Sequence, residues 1–345
     1  MDGALSALGE LRAVCSAPGK VILFGEHAVV YGHPAIAAAI DQRTAVEVNC
    51  CGDRVTVNGF RIHERFHSYL MTAVQQVWRR QDAVRIQTEG GVPSASGTGS
   101  SAALTVATVG ALRRLQGLDG LPGLAQDAFR VERSTQGGGS PTDTSTSTAG
   151  GAIAISSREE PPRMGDPLWD VAWDNPGEER AWSVERIPMP PLTAVVGNSG
   201  VKGRTDEQVA KVAHAARKNA LVRDRLREIG DITREAVGAI RHNDWGRIGQ
   251  LMDRNHAALH TLGINHPAVQ ALVEAARRAP GTFGAKLTGA GGGGSMVVLT
   301  ENPHAAAEAI RQAGGTPYVV TLGGAGAKWH ESLEDALRPV ELAQL

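Results

Sequence analysis

The chain has few cysteines and almost no net charge. Only three cysteines occur in 345 residues, at positions 15, 50 and 51, and an odd number without framework spacing is typical of reduced thiols. The formal net charge of −1 offers no electrostatic attraction for nucleic acid or an anionic membrane. We therefore expect a cytoplasmic protein that acts on a small molecule, and any charge that binds phosphate must be local.

Long apolar runs are also missing. No stretch approaches the roughly 18 uninterrupted apolar residues of a membrane helix. Residues 1–12 lack the basic region and apolar core of a secretory signal. We expect neither a membrane span nor a signal. With 42% apolar and 21% charged residues, the composition is that of a globular protein.

Glycine, by contrast, is abundant, and much of it lies in three segments. We call residues 17–32, 93–103 and 286–295 the first, second and third glycine segments. Glycine permits sharp bends and close approach of the backbone to a ligand, and bare N–H groups beside Ser, Thr and Lys can cradle phosphate. Three such segments, with acidic residues between the second and third, point to a nucleotide-dependent phosphotransferase.

The second glycine segment is the best candidate for the nucleotide. It lacks the Gly-Lys-Ser/Thr ending of a Walker loop and the glycine spacing of a Rossmann fingerprint. Its hydroxyl and N–H groups suit phosphates, and Ser100 or Ser101 could reach Mg²⁺. It leads into a helix predicted over 102–115, whose N-terminus would face the same spot. The alternative is a tight turn in which a serine only caps the helix.

Glu132 and Asp143 are the candidate carboxylates. Glu132 lies near the end of a helix predicted over 124–135, and Asp143 lies in a hydroxyl-rich predicted loop, 139–146. Phosphoryl transfer needs a metal ligand and a group that positions the attacking alcohol, and two acids could divide these tasks. For Asp143 the alternative is an Asx-turn that only organises the loop.

Basic residues in two places complete the set. Lys20, in a predicted turn, could stabilise charge on the migrating phosphoryl group, or be a solvated lysine. His27, beside Glu26, is either a substrate contact or a packed, hydrogen-bonded histidine. Arg204, with Lys202, could bind an anionic group of the substrate, or belong to a charged helix start.

The wider pattern predicts a mixed α+β protein. Strands are expected over 14–24, 35–48 and 83–88, an irregular stretch over 158–180, and mostly helix over 206–278. We place two domains at 1–187 and 188–345, on either side of the break before Pro188, with the active site in the cleft between them.

The three glycine segments, in this order, resemble the GHMP superfamily of small-molecule kinases, which contains galactokinase, homoserine kinase, mevalonate kinase and phosphomevalonate kinase. The resemblance covers nearly the whole chain. Within it, residues 17–20, 25–32 and 252–267 look most like the mevalonate kinase family, and residues 141–146 look like its archaeal-type members.

The resemblance implies an N-terminal domain of the ribosomal protein S5 domain 2 type and a ferredoxin-like C-terminal domain. It implies ATP- and Mg²⁺-dependent phosphorylation of the primary hydroxyl of mevalonate, in the synthesis of isoprenoid precursors. It also leads us to expect a homodimer.

The resemblance further implies roles for single residues. Lys20 and Asp143 would be the catalytic pair, with Asp143 as the base. Ser100, Ser101 and Glu132 would hold Mg²⁺, and Glu26, His27, Thr142 and Arg204 would face the substrate. The residues expected to bind nucleotide are Pro93, Ser96, Gly97, Thr98, Gly99, Ser100, Ser101, Ala102, Gly291 and Gly292.

The sequence departs from the family pattern at two places, and the second leaves the pose of Asp143 and its assignment as base open; alternative functions also stay open. Ala95 stands where the second motif usually has glycine, and only Thr142 separates Pro141 from Asp143, where many members place Ser-Gly-x. The alternatives are a sibling enzyme (a phosphomevalonate kinase, a mevalonate 3-kinase or a decarboxylase) and a non-catalytic sensor. A phosphorylated substrate would call for more basic residues on the substrate side than the sequence shows.

Overall fold

The computed structural model describes residues 11–50, 53–92, 97–158 and 163–338. Pro93 and Ser96, two of the expected nucleotide ligands, and the departure at Ala95 lie outside these ranges. None of the helices in the described ranges is long and apolar enough to cross a membrane.

Strands and helices alternate along the described chain. The strands are β1 Leu11–Phe24, β2 Ala35–Cys50, β3 Thr56–Val57, β4 Phe60–Arg61, β5 Val84–Gly90, β6 Ala152–Ser157, β7 Asp166–Trp173, β8 Arg180–Ile187, β9 Leu192–Asn198, β10 Thr282–Thr288, β11 Ser295–Thr300, β12 Thr316–Leu322 and β13 Lys328–His330. The helices are α1 Ser68–Val77, α2 Ser100–Arg114, α3 Leu121–Gln136, α4 Thr142–Ala149, α5 Thr205–Lys218, α6 Ala220–Arg241, α7 Trp245–Thr261, α8 Pro267–Arg278, α9 Pro303–Gln312 and α10 Leu333–Leu337, with a short 3₁₀ turn at Ala28–Tyr31.

All of these strands belong to one sheet. Its main path runs β10-β11-β9-β12-β2-β5-β3-β4, while β1 and β6 also pair with β2, β13 with β1, β8 with β6 and β7 with β8. The two halves of the chain meet where Leu322 of β12 pairs with Ile40 of β2. One apolar cluster likewise contains Phe24 from the first half and Leu251 from the second. The domain boundary at 187/188 lies between β8 and β9 and stays a prediction.

The structure corrects the predicted turn at Lys20 and the predicted loop at Asp143. Strand β1 continues through Lys20, with a shift of register between Pro18 and Lys20, because a bulge accommodates the missing N–H of proline. Asp143 lies in α4, which begins directly after Pro141. Proline suits a helix start, where backbone N–H groups need no partner within the helix, so the hydroxyl-rich run is helical.

One further prediction was wrong, and one alternative is not seen. The stretch 158–180, expected to be irregular, contains β7, and Trp173 and Trp182 pack edge-on against Phe129. Aromatic packing thus forms a strand where the local sequence shows no period. The alternative in which a serine caps α2 is not seen, because Gly99 precedes the helix with φ 74° and no side chain caps it.

Helix α7 packs on β10 where Gly249 of the helix and Gly284 of the strand let the two backbones touch. A Cβ on Gly249 would come 1.9 Å from the carbonyl oxygen of Phe283, far inside van der Waals contact. We therefore expect Gly249→Ala to lower the free energy of unfolding by about 1–3 kcal/mol or more, measured by urea denaturation.

Gly246, in the first turn of the same helix, provides the matched control. A Cβ there would meet only Asp244 Oδ1, at 3.7 Å, so Gly246→Ala is expected to be neutral or stabilising by up to about 1 kcal/mol. Equal midpoints for the two variants would contradict the close packing.

Candidate active site

The three glycine segments meet in the folded protein. The N–H of Lys20, in the first segment, donates to the carbonyl of Thr98 in the second at 2.8 Å. His27 Nε2, in the first segment, lies 2.9 Å from the carbonyl of Ala290 in the third. A Cβ on Gly97 would come 3.2 Å from the Cβ of Ser295, which joins the second segment to the third. Three stretches that are distant in sequence therefore surround one place.

Two of these glycines are required by close approach. A Cβ on Gly99, which has φ 74°, would lie 2.8 Å from Cε of Lys20, and a Cβ on Gly19 would lie 2.5 Å from the carbonyl oxygen of Thr98. A side chain at either position would push the second segment away from β1. The N-terminus of α2 is thereby placed beside the Lys20 side chain.

Lys20 and Asp143 form an ion pair at this place. Lys20 Nζ lies 2.8 Å from Asp143 Oδ2, with the lysine side chain only 5% exposed and the aspartate 31% exposed. Asp143 lies in the first turn of α4, where the helix dipole favours a negative charge. The resemblance pairs these two residues, and the structure brings them into contact while Asp143 stays partly exposed.

Glu132 lies close to this pair and is buried. Burial and the negative charge of Asp143 raise the pKa of Glu132 to about 8, against a smaller opposing effect of Lys20. Gln136 Nε2 donates to Glu132 Oε1 at 3.4 Å and to the Tyr69 hydroxyl at 3.0 Å, and Tyr69 in turn bonds Ser101. The carboxyl groups of Glu132 and Asp143 thus lie near one ammonium, that of Lys20, so the cluster is short of positive charge.

This shortage fits a bound divalent cation. Mg²⁺ is usually held by one or two carboxylates together with phosphate oxygens and water. Glu132 and the hydroxyls of Ser100 and Ser101 at the start of α2 are suitable oxygen donors. Among the described residues no group of three or more His, Cys, Asp or Glu could hold a metal ion by itself, so the remaining ligands would have to come from substrate and water.

The third glycine segment is held by neighbours on two sides. The N–H of Gly292 donates to Ile264 O at 2.6 Å, and that of Gly294 donates to Val201 O at 2.8 Å. Gly291 and Gly292 have φ of 79° and 72°, in the left-handed region that favours glycine. The segment therefore has a fixed backbone without side chains, and the N–H groups of Gly292 and Gly294 are used within the protein. Nucleotide contact at Gly291 and Gly292 stays a prediction.

Glu26 does not face the cleft. Its side chain is 1% exposed and forms an ion pair with the fully buried Lys286, and Asn255 Nδ2 donates to its other oxygen at 3.1 Å. Lys286 Nζ also donates to Leu287 O at 2.7 Å. Because both oxygens of Glu26 are used inside the protein, this geometry fits a connection between the two halves better than the expected substrate contact.

His27 follows Glu26 with φ 61°, a conformation that non-glycine residues rarely adopt. Burial lowers the pKa of His27, so the ring is neutral at pH 7. Since the carbonyl of Ala290 can only accept, Nε2 carries the proton. Backbone strain of this kind is concentrated at functional sites.

The other two expected substrate residues, Thr142 and Arg204, differ in their surroundings. Thr142 is buried, with its hydroxyl 2.8 Å from that of Ser140. Arg204 is exposed and pairs with Asp206 at 3.0 Å and Glu207 at 2.6 Å. The structure thus places Thr142 next to Asp143 in α4, whereas the Arg204 guanidinium is turned toward its own helix.

Sequence reasoning missed a basic cavity. It has a volume of about 460 Å³ and lies between the 3₁₀ turn, the loop before α4, and helices α5 and α6. Its lining is Val30, Tyr31, Arg133, Gly138, Gly139, Glu178, Arg180, Val209, Ala213, Ala216, Arg217 and Arg223. Four arginines from four elements line the cavity with a single carboxylate, Glu178, which pairs with Arg133 at 3.4 Å, and no local signal marks them.

Comparison with known proteins identifies the family. The N-terminal domain model of GHMP kinases matches residues 66–151, the C-terminal model matches 236–319, and a galactokinase galactose-binding signature matches 6–50. Mevalonate kinase of Pyrococcus furiosus is 33% identical, over 94% of this chain and 100% of its own length. That of Methanothermobacter thermautotrophicus is 35% identical, over 83% and 90%. The chain belongs to the mevalonate kinase family.

Solved structures of this family have the same fold. Methanococcus jannaschii mevalonate kinase is 25% identical with a TM-score of 0.69, covering 92% of this chain and 99% of its own. The L. major mevalonate kinase, solved in complex with R-mevalonate, is 24% identical with a TM-score of 0.71, covering 93% and 97%. The expected GHMP kinase fold is therefore confirmed.

The buried connection at Glu26 gives a prediction of stability. Lys286→Met leaves a carboxylate buried without its cation, so we expect a loss of about 3–5 kcal/mol in the free energy of unfolding. Glu26→Gln combined with Lys286→Met removes both charges and should recover part of that loss. Urea denaturation of the single and double variants measures the difference.

The exposed pair Arg227–Asp224, on α6, is the control. Arg227→Met should leave the denaturation midpoint unchanged, because surface ion pairs contribute little. If the double variant is less stable than Lys286→Met alone, the unpaired charge is not the cause of the lost stability.

Proposed function

We propose that this chain transfers the γ-phosphoryl group of ATP to the primary hydroxyl of mevalonate, giving 5-phosphomevalonate for isoprenoid precursor synthesis. Membership of the mevalonate kinase family and use of ATP by GHMP kinases support the reaction class. The observation that carries the proposal is the Lys20–Asp143 pair, set at 2.8 Å where the three glycine segments meet.

In this mechanism Asp143 orients the acceptor hydroxyl and takes its proton. The hydroxyl oxygen forms a bond to the γ-phosphorus as the bond from that phosphorus to the ADP oxygen breaks. Lys20 lies against the same carboxylate and can stabilise negative charge on the transferred group and on the forming alkoxide. Phosphoryl transfer depends mainly on such positioning and charge, and both groups are held by regular secondary structure.

We assign Mg²⁺ to Glu132, Ser100 and Ser101. Glu132 supports this assignment because it is buried in a cluster that is short of positive charge. Tyr69 hydrogen-bonds Ser101, and Gln136 donates to both Tyr69 and Glu132, so these ligands are held in place. When bound, Mg²⁺ neutralises phosphate oxygens and orients them for in-line transfer.

The nucleotide would lie along the second and third glycine segments. The backbone N–H groups at the start of α2, from Gly99 to Ala102, can face the phosphates, where the helix dipole is positive. Gly97 and Thr98 lie on the same side, next to Ser295 and Lys20. Gly291 and Gly292 would bound the phosphates from the third segment, and Pro93 and Ser96 remain expected ligands.

The acceptor would lie on the side of His27 and Thr142. Thr142 directly precedes Asp143, and the neutral His27 is fixed against the third segment. Arg204 would reach an anionic acceptor by exchanging its exposed partners Asp206 and Glu207. The basic cavity also adds positive charge near this side. Two of its lining residues, Tyr31 and Gly139, lie in the 3₁₀ turn after His27 and in the loop before Thr142. Because the arginines of this cavity could bind a phosphate group, the cavity favours phosphomevalonate as a second candidate acceptor.

Three further expectations from the sequence belong to this proposal. They are a homodimer, a cytoplasmic location and a division into domains at 187/188. The reduced-type cysteine content supports the location, and the break before β9 supports the division.

A coupled ADP-release assay with mevalonate, phosphomevalonate and homoserine tests the function. We expect rapid turnover with mevalonate and a kcat/KM at least about 100-fold lower with the other two acceptors, since a site built for one polar group rejects analogues strongly. Highest activity with phosphomevalonate would favour the second candidate.

Asp143→Asn is the control for chemistry in that assay. It keeps the shape of the side chain but removes the base and weakens the ion pair with Lys20, so kcat should fall by about 10²–10⁴-fold while ATP affinity, measured by calorimetry, stays near normal. Nucleotide binding without phosphorylation of any acceptor by the unmodified protein would instead indicate a sensor.

The Glu132 site gives a prediction of pH dependence. Its pKa is raised from 4.5 to about 8 in the folded protein, so folding takes up a proton between these values and stability falls as pH rises through that window. Glu132→Gln removes this loss. Without Mg²⁺, raising the pH from about 5 to 9 should therefore lower Tm more in the wild type than in the variant.

Adding Mg²⁺ and ATP at pH 9 provides the second half of this test. Because the ionised carboxylate is the metal ligand, the wild type should gain thermal stability and Glu132→Gln should gain much less. Equal gains in Tm for the wild type and Glu132→Gln would show that Glu132 does not bind the metal.

A further inference from the structure

The last turn of α4 is held by contacts from two distant parts of the chain. Arg186 of β8 donates Nη2 to Ala149 O and Nη1 to Gly150 O, both at 2.9 Å. The N–H of Ala327 donates to Thr148 O at 3.0 Å. The final carbonyls of a helix have no partner within the helix, so these bonds satisfy groups at the end opposite Asp143.

Glycines enclose this helix end tightly. We call residues 323–327, between β12 and β13, the return segment. A Cβ on Gly150 would lie 2.1 Å from the backbone nitrogen of Gly326, and a Cβ on Gly326 would lie 2.3 Å from Thr148 O. A Cβ on Gly151 would lie 2.3 Å from Arg186 Nη1. The end of α4 therefore has no room to shift toward Arg186 or the return segment.

The return segment is itself tied to the strand that carries Lys20. Arg43 of β2 donates to Ala325 O at 2.5 Å and to Gly326 O at 2.8 Å, and the same guanidinium donates to Ser16 O of β1 at 2.9 Å. Strand β1 and the end of α4 thus share one rigid support.

Helix α4 is short enough to transmit its position to Asp143. It has eight residues, which at about 1.5 Å each make a rod of roughly 12 Å. Asp143 stands at the opposite end, and its one ion pair within the described ranges is with Lys20. A displacement of about 1 Å at a reacting group can cost about 100-fold in rate.

We propose that Arg186 is a positioning residue for the transfer reaction: it fixes the C-terminal carbonyls of α4 and thereby sets the separation between Asp143 and Lys20. Its positive charge also complements the negative end of the helix dipole. The inference rests on the proposed function of that pair, and Arg186 itself touches neither Lys20 nor Asp143 in the described contacts.

The test compares Arg186→Met, which keeps the length but loses all donors, with Arg186→Lys, which keeps the charge. Arg158→Met, just after β6, is the control, because Arg158 is exposed and pairs only with Asp170 among the described residues. We expect kcat to fall about 10- to 100-fold in Arg186→Met, with KM for the acceptor and Kd for ATP within about twofold. Arg186→Lys should recover part of kcat, and Arg158→Met should match the wild type.

Unchanged kcat in folded Arg186→Met, even with a lower Tm, would show a purely structural role and overturn the proposal. If Arg186→Met does not fold, Arg186→Lys decides by the same criterion. If the wild type phosphorylates none of the acceptors, the proposed function fails instead. Crystal structures then decide the positioning role, since a Lys20–Asp143 distance unchanged in the variant would overturn it and a longer one would support it.

Discussion

The site depends on a charge balance that the protein alone does not complete. Lys20 lies 2.8 Å from Asp143, and Glu132 is buried beside them with its pKa raised to about 8. Buried charges are costly unless they are paired, so two carboxylates with one ammonium are satisfied only by a proton or by another cation. A metal-bound triphosphate would supply that cation, which means that the arrangement is most favourable when substrate is present.

Glycine makes this balance possible because it lets the backbones approach. Lys20 lies against Gly99, where any Cβ would clash with the lysine side chain. Glycine lowers the stability of the fold through its conformational entropy. The sheet shared by both halves and the apolar cluster that joins them offset this cost.

Much of the site could be predicted from the sequence, because its signals are local. Glycine, hydroxyl and charge patterns marked α2, α3, Lys20 and Asp143, and the resemblance to the family joined the last two as a pair. The helix at Asp143 could not be predicted in the same way, since its hydroxyl-rich run has low helix propensity and is stabilised by burial and by Arg186. The role of Glu26 was equally hidden, because Lys286 lies 260 positions away. The four arginines of the cavity come from four elements and have no common motif.

These differences separate the site into two parts with different physical support. Lys20, Glu132 and Asp143 lie on β1, α3 and α4, where backbone hydrogen bonds, buried side chains and Arg186 hold them. In the proposed function the acceptor side would be formed by the 3₁₀ turn, the loop before α4 and helix α5, and Arg204, just before that helix, is exposed with partners it can exchange. A rigid transfer centre beside a more adaptable acceptor surface would allow the acceptor to change without disturbing the chemistry. On the proposed function, discrimination between acceptors would then come mainly from the arginines and from His27, which has a strained backbone and contacts the third glycine segment.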